Sequence, residues 1–140
     1  MRILLILLMG ILFLLGCENL YSKFYDENIK NENISCVKIN EKDRILRLRL
    51  IRIFQEEKIN VKENCPYTVE VKSKFLSQCS SPYARSVGAD FDGFLRFDLK
   101  KGGKILYRCQ IDWKGEFDDG KIRDLVKKMK EDLKRKKALR

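Results

Sequence analysis

From Ala89 to Trp113 the chain alternates apolar and polar residues in two runs around a paired-glycine turn, and this pattern restricts the fold more than any other stretch. Ala89, Phe91, Gly93, Leu95, Phe97 and Leu99 share one parity, and Asp90, Asp92, Arg96 and Asp98 the other. Lys100-Lys101-Gly102-Gly103 follows, where glycines supply positive φ at little cost. The return run places Ile105, Tyr107, Cys109, Ile111 and Trp113 on one face. Two long antiparallel strands with one apolar face are predicted, and that face needs a cover.

The remaining periodicities supply the cover and more sheet. Residues 67–78 alternate, with Tyr67, Val69, Val71, Ser73 and Phe75 inward and Glu70, Lys72 and Lys74 outward. Cys79 continues the inner parity, and Ser80-Ser81-Pro82-Tyr83 with Gly88 reads as a loop. Residues 34–39, Ile-Ser-Cys-Val-Lys-Ile, read as a short first strand. Between them, Leu46, Leu50, Ile53 and Phe54 fall on one helical face of Arg44 to Lys58, although Leu46 to Leu50 also alternates like a strand. Length favours a helix, as does Asn40 as N-cap with Glu41 and Asp43 in the first turn. Arg44, Arg47, Arg49 and Arg52 then spread over its other faces. After Gly115 and Asp118-Asp119-Gly120, the spacing of Ile122, Leu125, Val126, Met129 and Leu133 predicts a last amphipathic helix. The order strand-helix-strand-strand-strand-helix predicts an α+β two-layer sandwich, a four-stranded mixed sheet with two helices on one face. A right-handed crossover makes its first two strands parallel.

The beginning of the chain has a different character. Arg2 precedes an apolar run from Ile3 to Leu15 that ends in Leu14-Leu15-Gly16-Cys17. The run has 13 residues, whereas a spanning helix needs about 20. A basic start and a short apolar core read as a secretory signal. Leu14-Leu15-Gly16-Cys17 resembles the lipobox of bacterial lipoproteins. That resemblance implies a diacylglycerol thioether on Cys17, cleavage before it, and the acyl modification, palmitate included, of such anchors. Residues 1–16 are then signal peptide, 17–33 the lipidated cysteine with a polar tether, and 34–140 one small domain. Within the expected tether, Leu20, Tyr21, Phe24 and Tyr25 offer surface to dock on the domain or to lie at lipid headgroups. Glu18 stands where Asp signals inner-membrane retention in such lipoproteins, so an outer-membrane anchor facing the periplasm is the expected address.

Cleavage leaves 124 residues, enough for one modest core. With Cys17 assigned to lipid, Cys36, Cys65, Cys79 and Cys109 remain, an even set that in an exported chain points to disulfides. Cys65 and Cys79 sit at opposite ends of one predicted strand and cannot pair. The expected connectivity is Cys79–Cys109 with Cys36–Cys65, and reduced buried thiols are the alternative. A zinc site is disfavoured, because no Cys-x-x-Cys pair and no histidine is present.

Two stretches carry a further resemblance. Leu46–Arg47 through Cys65-Pro66-Tyr67-Thr68-Val69-Glu70-Val71 resembles the helix-to-strand passage of lipopolysaccharide-assembly lipoproteins of the LptE family. Gly88-Ala89-Asp90-Phe91 to Gly103-Lys104 is similar to the amino-terminal domain of TolB and related envelope lipoproteins. Each covers under half of the chain and implies a fold and a compartment, not an active site.

The chemistry on offer is sparse. With no histidine, serine–histidine and cysteine–histidine catalysis as usually built are excluded. Asp90, Asp92 and Asp98 are the one candidate set for acid–base or metal-dependent chemistry, and solvated strand residues explain them as well. Gly102-Gly103 opens no helix and is no phosphate cradle. No catalytic residue, metal or cofactor is expected. The functional candidate is the last helix: Lys121 to Arg140 holds ten basic and three acidic residues, in a chain of net charge +10. Lys127, Lys128, Lys130, Lys134, Arg135, Lys136 and Lys137 are the expected contacts for an anionic partner. The expectation is a non-catalytic interaction or assembly module of the envelope. It is held on the membrane by its lipid anchor and binds lipopolysaccharide or an envelope protein, not nucleic acid. A regulator of a cell-wall synthase and an aspartate-based enzyme are the alternatives.

Overall fold

The computed structural model describes residues 19–75 and 91–139. Its strands are β1 (Asn19–Phe24), β2 (Lys38–Asn40), β3 (Tyr67–Phe75), β4 (Gly93–Lys101) and β5 (Lys104–Trp113), and its helices are α1 (Arg44–Glu56) and α2 (Asp119–Arg135). They form one sheet in the order β1-β5-β4-β3-β2. β2 runs parallel to β3, and the other pairings are antiparallel.

The alternation of β4 and β5 is realised except at Ile105, which was expected inward but pairs with Lys100 on the outer parity. Leu95, Phe97 and Leu99 are buried beside Tyr107, Cys109, Ile111 and Trp113. Gly102 and Gly103 take φ of +55° and +79°, the conformation a tight hairpin requires. A register shift between Leu99 and Lys100 lets Leu106 be buried as well as Tyr107. Both helices lie on this inner face: Phe54 of α1 meets Phe97 at 5.5 Å, and Asp132 of α2 accepts a hydrogen bond from Tyr107. α1 buries Leu46, Leu50, Ile53 and Phe54, and α2 buries Ile122, Leu125, Val126, Met129 and Leu133, the stripes read from spacing.

Several expectations are corrected. The sheet has five strands, not four, because Asn19–Phe24 in the expected tether is β1, an edge strand on β5. Its inner residues give it a seat: Phe24 packs on Tyr107 at 5.0 Å, and Ser22 donates to Asp132 at 2.7 Å. A 3-10 turn at Glu27–Asn31 then buries Ile29. The first expected strand is shortened to Lys38–Asn40, with single bridges from Ile34 to Leu139 and Val37 to Val61. The cap of α1 is Asp43, whose carboxylate accepts from the Leu46 amide at 2.9 Å, and not Asn40, which belongs to β2.

Cys36 and Cys65 form a disulfide across 29 residues of sequence, joining the start of the β2 segment to the approach to β3. Cys109 is a free buried thiol, so the expected Cys79–Cys109 bond is absent. Parity placed Cys109 inward correctly but not along the strand. It faces Phe97, which faces Val71, and so lies mid-sheet rather than at the end where β3 leaves. Cys79 lies outside the described residues, as do Cys17, Asp90 and the expected loop at Ser80-Ser81-Pro82-Tyr83.

The register gives the domain two ends. Asn19, Phe75, Gly93 and Trp113 mark one; Phe24, Tyr67 and the Gly102-Gly103 turn mark the other. α2 starts at the first, where Phe117 packs on Trp113 at 4.8 Å and on Phe75 at 4.9 Å. It finishes at the second, where the Lys136 ammonium lies 5.2 Å from the Phe24 ring. At 1.5 Å per residue, its 17 residues span about 25 Å.

Candidate functional site

The basic residues of α2 divide by the partners they find. Lys128 lies 3.4 Å from Asp132, and Arg135 lies 3.5 Å from the same carboxylate. Lys130 donates to the Glu57 carbonyl at 2.7 Å and lies 3.9 Å from its carboxylate, which fastens α2 to the end of α1. These three cations serve the fold. Lys127 and Lys134 instead line a groove of about 270 Å³ with Lys130, Glu57 and Glu131. Lys136 and Lys137 end the helix in the open, Lys137 with φ of +58°. Cations there are also favoured by the partial negative charge of the helix C-terminus.

Elsewhere at the hairpin end three lysines have carboxylate partners. Lys100 pairs with Glu70 at 2.7 Å, Lys101 with Glu32 at 2.9 Å and Lys104 with Asp26 at 3.2 Å. On α2 and just beyond it, Lys134, Lys136 and Lys137 are the exposed lysines at the hairpin end, with Lys127 two turns behind Lys134. Lys134 faces the groove beside Glu57 and Lys136 reaches Phe24 of β1, so the ammonium groups fan around the helix end. There they can meet carboxylates or phosphates as point charges, without the planar geometry that arginine would impose. The arginines are used for bracing. Arg49 and Arg52 both hold Asp119, Arg49 at 2.7 Å, and Arg123 holds Glu56 at 3.0 Å, so the two helices are cross-linked by charge. The hydrogen bond from Arg49, with the charges of both arginines, keeps the Asp119 carboxyl below its ordinary range.

Asp98 of β4 and Asp92 just before it are separated in role. Asp98 was expected on the solvated face but is only 1% exposed. The Arg108 guanidinium covers it from the neighbouring strand, donating at 2.5 and 2.9 Å, and this bond raises the Arg108 pKa. Asp92 accepts from the Gly115 amide at 2.6 Å and clasps the turn that leads to α2.

Sequence reasoning passed over Asp132. It lies on the buried side of α2 and accepts from Ser22 and Tyr107, both at 2.7 Å. Burial raises its pKa, but the two hydroxyls and the Lys128 ammonium more than offset this, and the carboxyl is held below its usual range. An acidic residue between Met129 and Leu133 on an apolar stripe was the available signal. Also unread were Ile45 and Leu48, apolar residues of α1 that point away from the sheet.

No protein-family model matches the chain, and no curated protein does. Among solved structures it is similar to the PelC dodecamer from Paraburkholderia phytofirmans in two crystal forms. The TM-scores are 0.48 and 0.47 and the identities 7% and 8%, with 83% of this chain and 96% of that chain covered in each.

Proposed function

We propose that this protein is a lipid-anchored, non-catalytic module of the bacterial cell envelope, whose basic helix end holds an anionic partner. The Leu14-Leu15-Gly16-Cys17 pattern supports the anchor, with a diacyl-modified Cys17 and the domain facing the periplasm. The absence of histidine and the structural engagement of Asp92 and Asp98 support a role in binding rather than turnover.

One observation carries the reading: the two ends of α2 lie at opposite ends of the sheet. The chain enters β1 at the Trp113 end, and Lys134, Lys136 and Lys137 lie at the hairpin end. The helix between is about 25 Å long, roughly three times the 8 Å over which charge is felt at physiological salt. The basic cluster therefore points away from the anchoring membrane, toward an acidic envelope protein or an anionic glycolipid presented from elsewhere.

The test is photo-crosslinking in cells from position 134 of the full-length protein, with and without the triple change Lys134→Glu, Lys136→Glu and Lys137→Glu, the probe then moved to position 127. A crosslinked partner that disappears in the triple variant and weakens in high salt is expected. Unchanged crosslinking overturns the basic-end assignment. Separately, Cys17→Ala is expected to abolish processing and stable membrane association, and a processed, membrane-bound variant overturns the anchor.

A further inference from the structure

The Trp113 end of the domain carries apolar side chains that no described element covers. Ile45 and Leu48, on the first two turns of α1, are 73% and 56% exposed, and Phe75 at the end of β3 is 48% exposed. Phe75 belongs to an aromatic knot at this end. Phe75 packs on Trp113 at 5.7 Å and on Phe117 at 4.9 Å. The Arg49 guanidinium lies 4.9 Å from the Phe117 ring, and Ile45 stands one turn ahead of Arg49 on the same stripe of α1. Lys42, Arg44 and Arg47 are exposed beside them. Several neighbouring carboxylates are engaged: Asp43 caps α1, Glu41 accepts from the Asp43 amide, and Asp92 and Asp119 are held as described above.

β1 starts at this same end, with Asn19 opposite Asp112. Consecutive Cα atoms are 3.8 Å apart, so the Cα of Cys17 lies within about 7.6 Å of that of Asn19. The headgroup layer on each side of a bilayer is about 5 to 7 Å thick. With a lipid on Cys17, a strand that begins at Asn19 has little slack, and the end of the domain it enters is brought to the headgroups.

Resting on the reading of Cys17 as the lipidated residue, we infer that Ile45, Leu48 and Phe75, with Lys42, Arg44 and Arg47, form a face that seats the domain in the interfacial layer of its own anchoring membrane. Aliphatic and aromatic side chains at such a surface enter the boundary between headgroups and acyl chains, while the long cationic ones reach outward to phosphates. The domain is then held in one orientation by two contacts, the lipid and this face, and not swung on a tether.

The test uses the full-length protein in native membranes, with a diazirine amino acid at position 45, 48 or 75, and at 136 for the opposite end. After irradiation, mass spectrometry reads adducts on the domain and the modification of Cys17. Lipid adducts at 45, 48 and 75 and none at 136 are expected. In the Ile45→Glu, Leu48→Glu double variant the adduct at 75 should be lost while Cys17 stays lipidated. Protein adducts at these positions, or no adducts with Cys17 lipidated, overturn the membrane face. Adducts from a chain with unmodified Cys17 overturn the anchor reading alone. Adducts that persist at 75 in the double variant overturn the assignment of Ile45 and Leu48 to the contact.

Discussion

Ser22, on the first strand, donates a 2.7 Å hydrogen bond to Asp132, on the last helix, and Tyr107 donates to the same carboxylate oxygen between them. One buried acid thereby ties the edge strand, the adjoining strand and α2 together. Asp132→Ala leaves the buried Tyr107 hydroxyl without its acceptor and is expected to cost about 1 to 3 kcal/mol in urea unfolding. Ser22→Ala is expected to cost less, and the double variant less than the sum, since the two residues share one interaction.

The same carboxylate makes stability fall in acid. Asp132 titrates below its ordinary value in the folded protein. Its contribution is therefore complete above about pH 4, where the unfolded group is ionised, and is lost as pH falls through the lower folded value. Asp26, held down first by the Asn28 amide, Glu32 by the Tyr67 hydroxyl and Asp119 by Arg49 act with the same sign. The urea midpoint should drop between pH 5 and 3, and Asp132→Asn should flatten that drop in part.

Gly93 lies against the indole of Trp113. A Cβ there would fall 2.5 Å from the ring and 2.6 Å from the Lys74 carbonyl oxygen. Gly93→Ala is expected to destabilise by about 1 to 3 kcal/mol, as overpacking does, with a shift of the Trp113 fluorescence as the ring is displaced.

The Cys36–Cys65 bond closes a loop of 29 residues in sequence. In the chain-entropy account a loop of that size is worth about 3 to 4 kcal/mol. The double variant Cys36→Ser, Cys65→Ser should lose about that much, and dithiothreitol should lower the melting temperature of the native chain but not of the variant.

Burial pushes the Cys109 thiol well above its ordinary range. In a Cys79→Ser background, 5,5′-dithiobis(2-nitrobenzoate) should leave Cys109 unmodified in the folded protein and titrate it fully in guanidinium. Rapid modification of the folded chain would show that the centre of the sheet opens readily.

The legible parts were those where one periodicity sets one face. The stripes of α1 and α2, and the inner residues of β4 and β5, follow from spacing because each side chain repeats its neighbour's environment. β1 was hidden because its inner parity is Leu20, Ser22, Phe24, and a serine there makes sense only beside Asp132. Asp98 read as solvated because parity cannot show that Arg108 folds over it. Cys109 was given its face but not its level, since alternation says nothing of height along a strand. At the candidate site, the seven basic residues formed one cluster in sequence. Only the packing of α1 reveals that Lys130 belongs to Glu57, and only the burial of Asp132 shows why Lys128 and Arg135 are drawn to it.

The edge position of β1 also bears on how the chain reaches this structure. β1 is the first described element to be synthesised, yet its strand partner is β5, and its anchor, Asp132, stands 110 residues beyond Ser22. Contacts of that separation form slowly, because a long loop must close before they contribute. Until it does, β5 is the outermost strand, its backbone unpaired along one side and open to any other chain that can add to it. The nascent sheet is vulnerable longest along the line where its first described strand must return to meet β5 and α2.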